Sequence, residues 1–252
     1  LVLCLSGLDP TGGAGLQADI ETIAALGGHA LGLVTALTAQ DSRNVRWVDP
    51  VDPGGLADQL SVLLADCQPD AVKLGLIGSR AQLPVIATVL DALGLPVVCD
   101  PVLRAGGGTD LVDDGYAAEL RRSLLHNVTV LTPNAAEARR LVPAADTLEA
   151  CARALLNDGC QRVLVTGGDE PGNQVVNVAF AAGATARRYE WPRLPETFHG
   201  AGCTLASAIA VRLAAGDATD IAIETAQAWT QQTLQKAFAV GHGRRIPGRL
   251  QP

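Results

Sequence analysis

The stretch His199-Gly200-Ala201-Gly202-Cys203-Thr204 runs straight into an apolar, Ala-rich segment that reads as a helix. A helix beginning there aims unpaired backbone N–H groups and the positive end of its macrodipole at whatever lies above residues 201–204, which makes an anion site. Gly200 and Gly202 let a ligand approach the backbone closely. Cys203 falls in the field of the same helix end, where a thiol pKa is expected to drop. A plain flexible loop before a helix would carry the same Gly-x-Gly, so the motif does not decide between the two on its own.

Other chemistry-bearing residues recur at the ends of apolar runs. Asp100 closes the run 96–99, and Glu137 follows the run 128–131 by way of Thr132-Pro133-Asn134. One or two carboxylates plus water and phosphate oxygens is the usual protein share of a magnesium site. Each also has a plainer role, Asp100 as a turn residue before Pro101 and Glu137 as the acid of a capping box with Asn134. Thr166-Gly167-Gly168-Asp169 offers phosphates a close-approach loop, although a tight turn would look the same. Gln40 carries both a donor and an acceptor, which suits a heterocycle with an amino group beside a ring nitrogen. Asp19, on the first helix, is placed to aim its carboxylate at the mouth of the same region, unless it is an ordinary exposed helical acid.

The elements that must position these residues alternate. Strands are expected at 1–5, 31–37, 71–74, 96–99, 128–131 and 162–165, with a hairpin over 175–189. Helices are expected at 16–26, 54–66, 80–93, 114–125, 147–158, 203–215 and 220–238, from periodicity, glycine stops and proline punctuation. Strand–helix alternation predicts an α/β fold: a single doubly wound, mostly parallel sheet with helices on both faces, spanning 1–252 as one domain. In such a sheet the carboxyl ends of the strands share one edge, so the scattered polar residues converge on one crevice.

Composition narrows the partners. A net charge of −7 with scattered basic residues, apart from Arg244-Arg245, argues against nucleic acid. No apolar run reaches membrane-spanning length and no leader pattern opens the chain, so a cytoplasmic location without a membrane partner is expected. The absence of Met and the start inside an apolar run lead us to expect that the native N-terminus is missing. Six dispersed cysteines with no Cys-x-x-Cys pair point to neither a zinc site nor a disulfide framework.

Six ordered motifs together resemble a known family. They are Gly7-x-Asp9-Pro10-x-Gly12-Gly13-Ala14-Gly15-x-Gln17-Ala18-Asp19, Thr35-Ala36-Leu37-Thr38-Ala39-Gln40, Lys73-Leu74-Gly75, Asp100-Pro101-Val102, Thr132-Pro133-Asn134-x-x-Glu137 and the 199–204 stretch. The chain resembles the hydroxymethylpyrimidine and phosphomethylpyrimidine kinases of thiamine biosynthesis, within the ribokinase-like superfamily. The resemblance implies ATP-dependent phosphorylation of 4-amino-5-hydroxymethyl-2-methylpyrimidine, then of its monophosphate, by a magnesium-using homodimer. It implies that Gln40 and Asp19 bind the pyrimidine with Gly7 and Leu76 near the ring. Asn134, Thr166 and Gly168 would serve the nucleotide, and Asp100 and Glu137 the magnesium. Gly200, Ala201 and Gly202 would form the anion hole, with Cys203 as catalytic residue. Many members have Lys where this chain has Thr166, which leaves the phosphate-facing cation to another residue, with Arg104 as one candidate. Pyridoxal kinase activity, or a silent pyrimidine-binding protein, are the alternatives.

Overall fold

A computed structural model of the chain describes residues 1–113 and 115–250. Nine strands form one sheet in the order β3-β2-β1-β4-β5-β6-β7-β8-β9. The strands are β1 (Val2–Leu8), β2 (Ala30–Gln40), β3 (Val45–Pro50), β4 (Ala71–Leu74), β5 (Val97–Cys99), β6 (Val130–Leu131), β7 (Arg162–Val165), β8 (Gln174–Ala181) and β9 (Arg187–Pro192). The six central strands, β2 to β7 in sheet order, are parallel. β3 pairs antiparallel with β2, and β8 and β9 close the other edge antiparallel. Strand order reverses beside β1, the point at which doubly wound sheets open a crevice at their carboxyl ends.

The helices are α1 (Gly15–Ala25), α2 (Pro53–Asp66), α3 (Leu83–Leu93), α4 (Tyr116–Leu124), α5 (Ala135–Leu141), α6 (Leu148–Asn157), α7 (Ala201–Ala214) and α8 (Thr219–Gln235). The helix expected over 114–125 is α4; Asp114 itself lies outside the described residues. Side chains alternate across the sheet, as a period of two dictates. Leu3, Leu5, Val72 and Leu74 join one core with Leu56, Leu90, Leu120 and Leu155 of α2 to α6. Val2, Cys4, Val98 and Leu164 join the other with Ile23 of α1, Ile209 of α7 and Ile223 of α8. α7 is buried from Thr204 to Val211, and its run of Ala206, Ala208 and Ala210 lets it sit between α1 and α8 close against the sheet. Its first turn is therefore held rigidly above the ends of β1, β4 and β5.

Candidate active site

A cavity of about 530 Å³ opens along the carboxyl edge of the sheet. Twelve of the thirteen residues expected from sequence line it: Gly7, Gln40, Leu76, Asp100, Asn134, Glu137, Thr166, Gly168, Gly200, Ala201, Gly202 and Cys203. Gly200 is the N-cap of α7 at φ +87°, and no side chain caps the helix. No side chain caps α1, α3, α4 or α8 either, whereas α2, α5 and α6 are capped by Asp52, Asn134 and Thr147. A Cβ at Gly200 would overlap the Gly13 carbonyl, so the left-handed turn and its close approach to the first loop both demand glycine. The N–H groups at 201–203 are thereby left facing the cavity.

The first loop is built by a buried pair of groups. Asp9 accepts from the N–H of Thr11 at 2.9 Å and of Ala14 at 2.8 Å and from the Thr11 hydroxyl at 2.9 Å, and it pairs with His199 Nε2 at 2.8 Å. Burial opposes the charge on Asp9, but His199 and those two N–H groups outweigh it and hold the carboxyl below its ordinary range. This pair joins loop 9–15 to the turn before α7. Arg249 adds a second clasp: its guanidinium donates to Thr204 Oγ1 at 2.8 Å and to the carbonyls of Gly12 and Gly13 at 3.3 and 2.5 Å.

Asp100 and Glu137 face the same cavity from β5 and α5. Asn134 and Glu137 form a complete capping box, with Asn134 Oδ1 accepting from the Glu137 N–H at 2.8 Å and Glu137 Oε2 from the Asn134 N–H at 3.0 Å. The capping and ligand readings of these two residues are thus compatible. Burial pushes the Asp100 carboxyl up to about 6, with Lys73 and the facing Cys203 thiol opposing the rise. Burial and the neighbouring Asp100 push Glu137 up to about 8. Two buried carboxyls, both raised by desolvation and one also by the other, are a donor set that a divalent cation would relieve. Among the described residues no cluster of three or more His, Cys, Asp or Glu could hold a metal alone. A pair completed by phosphates and water is the form magnesium takes.

Two expectations are corrected. Asp19 does not line the cavity: it is fully buried beneath it, with Lys73 Nζ at 2.7 Å and the hydroxyls of Ser6 and Ser207 at 2.6 and 2.7 Å. With both carboxylate oxygens engaged, it is the counter-ion of Lys73 and does not face the crevice. Cys203 does sit at the α7 terminus, but its thiol is pushed up to about 12 rather than down. Burial is the main cause, and Asp100 and Asp19 add to it against the opposing pull of Lys73. Desolvation outweighs the helix field here.

The opposite wall comes from β7 to β9. Asn134 bridges to Thr166 in parallel register, and the Gly167 N–H donates to Asn177 Oδ1 at 2.9 Å. Arg193 fixes the following turn by donating to the carbonyls of Gly168, Glu170 and Gly172 at 2.8, 2.6 and 2.7 Å. Thr166 therefore presents a hydroxyl, and no cation, to this wall.

The sequence pattern of the family described as phosphomethylpyrimidine kinase matches residues 9–247. The chain belongs to that family. It is 35% identical to the hydroxymethylpyrimidine/phosphomethylpyrimidine kinase of Synechococcus elongatus, over the whole of this chain and 98% of that one. It is 38% identical to the thiamine biosynthesis bifunctional protein ThiED of Geobacter sulfurreducens, where 96% of this chain matches but only about half (50%) of the relative's length is spanned. Among solved structures it superposes on an ADP complex of Bacillus subtilis pyridoxal kinase with a TM-score of 0.89 and 29% identity, covering 98% of this chain and 96% of that one.

The contacts that hold this kinase-family site together were not foreseen from sequence, although Asp9, His199 and Lys73 stand in its motifs. The pairing of Asp9 with His199 spans 190 residues, and only the topology brings them together. Lys73 is an apolar-strand lysine with no exposed surface, and Arg249 lies beyond every motif. A basic residue inside a fully buried strand was itself a signal, because such a charge needs a partner within reach.

Proposed function

We propose that the chain transfers the γ-phosphoryl group of ATP to the hydroxymethyl group of 4-amino-5-hydroxymethyl-2-methylpyrimidine, and then phosphorylates the monophosphate. The observation that carries this reading is the single cavity in which Gln40, the uncapped start of α7 and the Asn134–Thr166 wall face one another. Gln40, whose Nε2 donates to Thr38 Oγ1 at 2.7 Å, has its amide oxygen available to the pyrimidine amino group. Gly7 and Leu76 supply the flat apolar contact for the ring. A Cβ at Gly7 would come within 2.9 Å of the Leu76 side chain, so glycine keeps that slot open.

Phosphoryl transfer requires alignment and charge stabilisation more than covalent chemistry. The N–H groups of Ala201, Gly202 and Cys203 are preorganised for the charge that develops on the transferred group, and such donors act without reorganisation at the moment of reaction. Asn134, Thr166 and Gly168 bound the nucleotide side. Asp100 and Glu137 would hold magnesium, which when bound neutralises phosphate charge. In the free site the Cys203 thiol keeps its proton, so a base role requires the bound state to lower its pKa; the backbone donors carry the larger share.

Coupled ADP release with and without the pyrimidine tests the reading: pyrimidine-dependent release is expected, and binding without release would make the protein a silent pyrimidine binder. Pyridoxal is the competing acceptor, supported by the likeness to a pyridoxal kinase, and competition between the two alcohols separates them. We also propose a cytoplasmic homodimer. Six free cysteines support a reducing compartment, and no helix among the described residues is long and apolar enough to cross a membrane. Leu8, Leu37 and Trp47 lie on one face of neighbouring strands and are 39%, 45% and 50% exposed, an apolar patch that suits a second copy. Light scattering at a monomer mass would refute the dimer.

A further inference from the structure

Three arginines face the cavity, and their engagement differs. Arg193 is committed to loop carbonyls, as described above. Arg104 is exposed, donates from Nε to the Gly108 carbonyl at 2.5 Å and lies 3.9 Å from Asp110. Arg244 is half-buried, and among the described residues its guanidinium makes one hydrogen bond, from Nη2 to the Arg43 carbonyl at 3.2 Å.

The backbone of Arg244 is nevertheless held firmly. Its N–H donates to the Ser42 carbonyl at 3.0 Å, and the Gly243 N–H donates to Ser42 Oγ at 2.9 Å, so the segment 241–245 is strapped onto the β2–β3 turn. Nη1 packs directly on Gly106, where a Cβ would overlap it. Asp9 and Asp169, from the β1 and β7 loops on opposite walls, both act electrostatically on this guanidinium. The guanidinium thus lines the cavity from the Gly106 turn and the β2–β3 turn. The cavity lining carries Asp9, Asp100, Glu137, Asp169 and Glu196, and admitting a polyphosphate into such surroundings calls for a fixed cation. On the wall where Thr166 stands the cation is Arg193, whose guanidinium is already committed to the carbonyls of Gly168, Glu170 and Gly172.

We propose that Arg244 is the phosphate-binding cation of this site, delivered from the C-terminal strap and gripping non-bridging oxygens of the phosphate group at the transfer position. A guanidinium with free donors on one edge matches two such oxygens at once. This assignment rests on the kinase reading, but its first test does not need the acceptor.

The affinities of the ATP analogue AMP-PCP, of ADP and of AMP are compared by calorimetry in the wild type, Arg244→Ala and Arg244→Lys. Steady-state kinetics with the pyrimidine monophosphate as acceptor form the second arm. Removal of a charge-assisted pair is expected to cost roughly 10- to 100-fold, and Arg244→Lys should recover part of it. A loss for AMP-PCP with AMP and ADP binding intact assigns the contact to the nucleotide γ-phosphate. A raised KM for the acceptor monophosphate assigns it to the acceptor's phosphate. Both arms within twofold of wild type in Arg244→Ala overturn the proposal. Equal losses for AMP and AMP-PCP, with no recovery in Arg244→Lys, also overturn it, because a displaced strap would then be the cause. A wild type that binds AMP-PCP but phosphorylates no pyrimidine refutes the kinase reading and leaves the first arm readable.

Discussion

Replacing Lys73 with Met isolates the charge buried under the site. The ammonium is fully enclosed, lies 2.7 Å from Asp19 Oδ1 and 3.1 Å from Ser6 Oγ, and belongs to the β4 face that packs toward α1 and α7. Burial alone would pull its pKa down, but Asp19, Cys203 and Asp100 outweigh that and hold it above its usual range, so the group is charged in the folded protein. Lys73→Met keeps most of the side-chain volume and leaves the Asp19 carboxylate with only the hydroxyls of Ser6 and Ser207. Breaking a buried pair by removing one partner costs about 3–5 kcal/mol. For a chain of this size each kcal/mol moves Tm by about 2–4 °C, which gives a fall of roughly 6–20 °C by thermal denaturation. The double variant Lys73→Met/Asp19→Asn removes both charges and keeps an amide for the two hydroxyls, so it should recover at least half of the loss. A single variant that melts within about 2 °C of wild type would refute the argument, given that scale. So would a double variant no more stable than the single. Asp19→Asn alone should lower stability while leaving the KM for the pyrimidine unchanged; a raised KM at wild-type stability would return Asp19 to the ligand.

Gln40→Ala should weaken calorimetric affinity for the pyrimidine about tenfold, the scale of one lost hydrogen-bonding side chain with its desolvated partner, while AMP-PCP binding holds. Cys203, with its thiol pushed up to about 12, should be alkylated by iodoacetamide at pH 8 far more slowly than a free thiol, as read by site-resolved mass spectrometry; labelling at the free-thiol rate would show a thiolate and reverse the correction. Cys203→Ala should lower turnover while pyrimidine binding persists. Glu137, raised to about 8 in the folded chain, binds more protons there than in the unfolded chain, so the metal-free protein should lose stability as pH climbs from about 5 to 8. Glu137→Gln should flatten that loss in urea titrations at pH 6 and 8.5, and an unchanged slope would contradict the assignment.

What could be read from sequence follows from how local each cause is. β4 and β7 occupy the residues their apolar runs indicated, 71–74 and 162–165, because strands buried on both faces write continuous hydrophobic stretches. β3 was missed, since an edge strand reading Val45-Arg46-Trp47 has polar and exposed residues and a single buried anchor. The crevice was legible because strand ends in a doubly wound sheet must share an edge, whatever the details of packing. The depth of each group within that edge was not. Asp19 and Gln40 look equally polar in sequence, yet one lies under α7 against a lysine and the other on the cavity wall. Only the register of Cys4 with Lys73 decides that the lysine points to the same side as Asp19.

The same distinction accounts for the behaviour of Cys203. Its position at a helix start is a local property and was legible. The low-dielectric surroundings come from α1, β4 and β5, which sequence separation hides, and they add two carboxylates, Asp100 and Asp19, against one ammonium. The charge balance beneath the thiol is therefore negative before any ligand arrives, and proton loss from sulfur would deepen it. A site arranged in this way keeps its backbone N–H groups free and its thiol neutral until positive charge enters. Arg244 on the strap and a cation between Asp100 and Glu137 are the two positions from which that charge can come. Under the function proposed above, any base role of Cys203 therefore waits on that charge rather than on a standing thiolate.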